Sequence, residues 1–86
     1  MYVRAQLRIN STKDAEKLVS ILNRDGTTDK YILEDYNGEY RVNARSLLGV
    51  IYLGGDCDGD VFLVNTTRDG IFPSNINPFR PTGSFD

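Results

Sequence analysis

The side chains that usually carry chemistry are sparse in this chain, and one type is missing. Among 86 residues there is no histidine. General acid–base work, phosphoryl carriage and metal ligation by imidazole are therefore excluded. The one cysteine, Cys57, can close no internal disulfide and make no thiolate zinc site. It stands between Asp56 and Asp58, whose charges raise a thiol pKa and so leave it unactivated. Asp56, Asp58 and Asp60 alternate as the first ligands of an EF-hand loop do. That loop needs glycine at its sixth position and a bidentate acid at its twelfth. Val61 and Thr67 stand there, so the stretch reads as a solvated turn, and no metal or cofactor is expected. Ser11 and Thr12 read as helix caps. Asn77-Pro78-Phe79 matches a tripeptide bound by eukaryotic adaptor domains, but three residues recur by chance.

Charge and composition narrow the classes further. Ten Lys+Arg against twelve Asp+Glu leave a net charge of −2, so no broad phosphate-binding face for nucleic acid is expected. The tyrosines at 2, 31, 36, 40 and 52 lack interleaved cations and read as cross-strand packing rather than as a stacking surface. With 40% hydrophobic and 26% charged residues, the chain has globular composition and length for one domain. No apolar run is long enough for a membrane span. Met1-Tyr2-Val3-Arg4 opens without an apolar leader, which sets a cytoplasmic, reducing location as the expectation.

The elements follow from periodicity. Val3, Ala5, Leu7 and Ile9 alternate with Arg4, Gln6 and Arg8, a strand covered on one side from Tyr2 to Asn10. Ala15, Leu18, Val19 and Leu22 recur at helical spacing, after cap candidates at 10–12 and before a left-handed stop at Gly26. Lys30–Tyr36 and Glu39–Ala44 read as strands joined at Asn37-Gly38, the signature of a two-residue type I′ hairpin. Residues 45–53 read as a short helix with Asn43 or Ser46 near its start and Gly54-Gly55 at its end. Asp60–Thr66 is a fourth strand. Beyond it Pro73, Pro78 and Pro81 prevent a regular helix. The expected tail is irregular and packs in part through Ile71, Phe72, Ile76 and Phe79. The fold class is α+β: an open-faced β-sandwich with a four-stranded antiparallel sheet, helices on one face, in the order β-α-β-β-α-β. Residues 1–67 form the domain and 68–86 the tail.

Tyr40-Arg41-Val42-Asn43-Ala44-Arg45-Ser46-Leu47-Leu48-Gly49-Val50-Ile51-Tyr52-Leu53-Gly54 resembles HPr, the phosphocarrier family of the bacterial sugar phosphotransferase system. A strand, a small residue, a basic residue, serine, two apolars and glycine open that family's middle helix. The Asn37-Gly38 hairpin and the run Gly59-Asp60-Val61 fit the same pattern, and the resemblance covers residues 2–66. The family's phosphoacceptor histidine falls at about Ser11 and its following arginine at about Lys13. A serine monoester is too inert to pass a phosphoryl group on, so the family's relay is excluded. The resemblance is therefore to a divergent, Crh-like member without that histidine, whose C-terminal helix is replaced by the proline-containing tail.

What the resemblance implies is regulatory. A serine at the start of the middle helix is phosphorylated by a dedicated kinase in that family, and the product binds a transcription regulator. Ser46 matches it, and a plain helix cap is the competing reading. Phosphate there would sit at a helix N-terminus, with Arg45 close enough to pair, and Arg45, Leu47, Leu48 and Val50 would form the partner-binding patch. Whether Leu47, Leu48 and Ile51 are docking surface or core stays open. The expected protein is non-enzymatic and binds another protein, an HPr kinase or a transcription regulator being the candidates, with no nucleic acid and no membrane. A homo-oligomer stays open. The alternative is an interaction or assembly module, phage- or mobile-element-derived, that keeps the fold without a sugar phosphotransferase role.

Overall fold

A computed structural model describes residues 2–81. The elements run β1 (Ala5–Arg8), α1 (Thr12–Asn23), β2 (Tyr31–Glu34), β3 (Arg41–Asn43), α2 (Leu47–Asp56) and β4 (Asp60–Asn65), then a 3-10 helix at Ser74–Phe79. The order β-α-β-β-α-β is thus observed. The four strands form one antiparallel sheet in the spatial order β1-β4-β2-β3. The chain's last strand therefore lies between the first two, and it pairs Leu63 with Ala5 on one side and with Leu33 on the other.

Alternation decides the two faces. Ala5 and Leu7, Leu33, and Val61 and Leu63 are buried toward the helices with Leu18 and Leu22 of α1 and Val50 and Leu53 of α2. The opposite face carries Gln6, Arg8, Phe62, Ile32, Glu34 and Arg41. That face is laced by charge. Glu34, with a side chain 8% exposed, meets Arg4 Nε at 3.0 Å and Arg41 Nε at 3.0 Å. Arg4 reaches Glu34 across β4 and lies over the Phe62 ring, 4.0 Å from its centroid. Cation–π contact and ion pairing hold the open side of the sheet together.

Several local expectations are corrected. The hairpin is not a two-residue type I′ turn: Gly38 (φ 73°) has positive φ, whereas Asn37 does not. Gly38 N donates to Asp35 O at 3.1 Å, and the Asp35 carboxylate accepts from the Glu39 and Tyr40 amides. Asp35 organises a longer loop, so the strands on either side are shorter than their composition suggests. α1 starts from Ser11, whose Oγ accepts from Asp14 N, while Asp14 Oδ2 accepts from Asn10 N. This reciprocal cap satisfies two helix-start donors. α2 does not stop at Gly54-Gly55. It runs on to Asp56, and buried Gly54 faces Ile9, where a Cβ would sit 3.5 Å from Ile9 Cγ2, an ordinary packing distance. The chain then reverses through Asp58 (φ 53°) and Gly59 (φ 90°).

The tail is also more regular than expected. Ile76 and Phe79 are buried in the same core as the sheet. Phe72 packs against it in part, and Ile71 stays exposed. Pro73 precedes the 3-10 helix and Pro78 sits within it, which short 3-10 geometry tolerates better than an α-helix does. Asn65 anchors the approach, its Nδ2 donating to Ile71 O and to Asp29 Oδ2, both at 2.9 Å. Expectations for residues 82–86 lie outside the described residues.

Candidate functional site

Ser46 takes extended backbone (φ −97°, ψ 116°) just before α2, and its exposed Oγ accepts from Gly49 N at 3.4 Å. Asn43 builds the turn that delivers it. Asn43 O accepts from Ser46 N at 3.0 Å and Asn43 Oδ1 from Arg45 N at 2.9 Å. Gly49 lets the helix start lie close over β3, since a Cβ there would stand 3.2 Å from Val42 Cβ. A hydroxyl at the leading end of a helix packed on the sheet is the arrangement anticipated for residues 45–53.

The neighbours of Ser46 divide differently from the expectation. Leu48 is 81% exposed and Leu47 36% exposed, so both are surface. Val50 is 0% exposed and cannot be a docking residue. Two positions of helix, about 200°, separate it from Leu48, which turns it onto the sheet with Leu53 three positions on. Ile51 is half-buried against the core. Tyr52, 69% exposed, was missed as a surface residue. Its spacing of four from Leu48 was the available signal.

Arg45 is corrected as well. Its guanidinium turns away from Ser46, beneath α1. It donates to the carbonyls of Leu22, Thr27 and Asp29, lies 5.0 Å over the Tyr31 ring, and stands 3.5 Å from Asp25 Oδ1. Tyr31 Oη completes the cluster by donating to Asp25 Oδ2 at 2.6 Å. Burial opposes the charge on Asp25. The hydrogen bonds from Tyr31 and Thr27, with the Arg45 charge, outweigh it and hold the carboxyl below its ordinary value. Burial and the Asp25 contact push the Tyr31 phenol up to about 12. Arg45 ties the end of α1 to the loop before β2 and has no charge left over for a phosphate on Ser46.

The remaining candidates are placed as follows. Ser11 and Thr12 border a cleft of about 330 Å³ between the start of α1 and the end of α2, with Asn10, Ile51, Gly55 and Asp58. Ser11 Oγ is occupied as a cap, and the Asp14 carboxylate, which accepts from Asn10 N, puts a negative charge in the first turn that disfavours an anion there. Cys57 is half-buried; desolvation and then the charges of Asp35, Asp56, Asp58 and Asp60 raise its thiol pKa. Among the described residues, no group of three or more His, Cys, Asp or Glu could hold a metal ion. Phe79 is buried, so Asn77-Pro78-Phe79 is not a displayed peptide motif. The tyrosines divide: Tyr31 is core and Tyr36 packs on Phe62 with ring centroids 5.9 Å apart, whereas Tyr2, Tyr40 and Tyr52 are exposed. Arg4 and Arg41 do share the open face with Phe62, but Glu34 holds both. Among the described residues no helix is long and apolar enough to cross a membrane. Comparison with protein-family models, with curated proteins and with solved structures finds no match.

Proposed function

We propose that this chain is a non-enzymatic, cytoplasmic protein-binding domain that works through the outer face of α2. Ser46 is its regulatory phosphoacceptor, in the manner of a divergent, histidine-less HPr-like protein. The observation that carries this reading is the exposed Ser46 hydroxyl at the helix start, beside an outward apolar surface of Leu47, Leu48 and Tyr52. A phosphoryl group transferred to Ser46 Oγ would lie against the first amides of α2 and the positive end of its dipole. Because Arg45 is committed elsewhere, backbone donors would carry that stabilisation. The added negative charge beside Leu47 and Leu48 would change which partner the surface accepts.

The test is incubation of the full chain with an HPr kinase and ATP, read by intact mass for wild type and Ser46→Ala. The expected result is one added phosphoryl group on the wild type and none on the variant. A wild type that gains no mass favours the alternative, an assembly module that keeps the fold without a sugar phosphotransferase role.

A further inference from the structure

The exposed surface of α2 has a direction that its apolar content alone does not reveal. Leu48, Tyr52 and Asp56 follow one another at steps of four residues within α2, so they form a slanting stripe with a rise of about 6 Å per step. Leu48 and Tyr52 are the most exposed of the helix's large apolar side chains. Gly55 adjoins them, and a Cβ there would meet nothing within 4 Å, so a partner backbone can come close. From Leu47 to Gly55 the helix carries no charged residue. Charge appears abruptly at its C-terminal end, where Asp56 and Asp58 are exposed. Neither forms an ion pair among the described residues, whereas Asp60 is held by Arg8 at 2.6 Å. The negative end of the α2 dipole points the same way.

We propose that the Leu48–Tyr52–Asp56 stripe docks a helical protein segment with two apolar side chains one turn apart, followed in the next turn by Lys or Arg. The apolar pair lies on Leu48 and Tyr52 across Gly55, and the cation meets Asp56 and Asp58. A segment fits better than a second copy, because three exposed side chains offer far less than the roughly 800 Å² per partner of a stable interface. This inference deepens the α2-binding reading and does not depend on phosphorylation.

The probes are three alanine-based helical peptides: one with Leu, Leu and Lys at successive four-residue steps, one with Glu for Lys, and one with Ala for both Leu. Each is titrated into the unphosphorylated, isotopically labelled full chain and followed through backbone amide shifts. The basic peptide is expected to shift Leu47, Leu48, Tyr52, Gly55 and Asp56, and to bind roughly tenfold more tightly than the other two. Leu48→Ala and Asp56→Asn, both at exposed positions, are each expected to weaken it about fivefold, with less salt dependence for Asp56→Asn. Equal or tighter binding of the acidic peptide overturns the proposal. So do shifts confined to the open sheet face, no binding by any probe, or self-association of the chain that Leu48→Asp abolishes. A missing mass shift at Ser46 with intact peptide binding would sink the phosphoacceptor alone; the reverse pair of results would sink the docking chemistry alone.

Discussion

Arg45 lies over the ring of Tyr31, with its guanidinium carbon 5.0 Å from the ring centroid. The two residues meet at one end of the sheet, where Ala44 N donates to Tyr31 O at 2.9 Å. Tyr31 begins β2 and Arg45 precedes α2, and both reach Asp25 in the loop after α1. A residue that sequence assigns to an external patch thus joins three segments of the fold internally.

Arg45→Ala is expected to destabilise the chain by about 2–3 kcal/mol, since it strands several carbonyls and the Asp25 carboxylate in a partly buried place. Arg45→Lys should recover little, because one ammonium cannot reproduce a planar fork that serves several acceptors. Urea unfolding measures both. A wild-type midpoint for Arg45→Ala would refute the internal role.

The tail carries part of the core. Phe79→Ala is expected to cost about 3–4 kcal/mol, as for other buried aromatics. A chain ending at Thr67 also loses Ile76, the Arg68–Asp29 pair and the Ile71 carbonyl that Asn65 uses. It should unfold at markedly lower urea or fail to fold. A truncated monomer as stable as the full chain would show the tail to be dispensable.

Two glycines should respond in opposite directions. Gly55 lies within α2 with open space around it, so Gly55→Ala should stabilise by about 0.5–1 kcal/mol through helix propensity. Gly59 has φ 90°, and a Cβ there would stand 2.8 Å from Ile9 O. Gly59→Ala should cost about 2 kcal/mol or more, from left-handed strain plus the displaced backbone. Thermal unfolding of the pair checks the contrast.

Stability should fall at both ends of the pH scale. On the acid side, Asp25 and Asp29 are both held below their ordinary value of 3.8. Asp29 owes this to its Asn65 hydrogen bond first and, against burial, to Arg68. A lowered folded pKa contributes stability above the ordinary value and loses it as pH drops through the folded one. On the alkaline side, Tyr31 is raised from 10.0 to about 12. Its contribution is full below pH 10.0 and lost as pH rises toward 12. Unfolding midpoints across pH 2 to 12 should show both limbs, with the alkaline limb weakened in Tyr31→Phe.

What the sequence determined by itself is the local part of this protein. The order of elements, the core stripe of α1 at Ala15, Leu18, Val19 and Leu22, and the cap role of Ser46 are all legible. Each depends on residues within a few positions of one another, through alternation, helical spacing or a hydroxyl meeting an amide three residues on. The tertiary structure alone decided which long side chains face out. Val50 and Leu48 are equally apolar, yet one lies under α2 and the other over it, because the sheet sits on one side. Arg45 follows no local preference; it is drawn inward by Tyr31, Asp25 and three carbonyls that are separated from it along the chain. β4's place between β1 and β2, and the burial of Phe79, are nonlocal for the same reason: both are settled by partners that the folded chain brings near from distant positions.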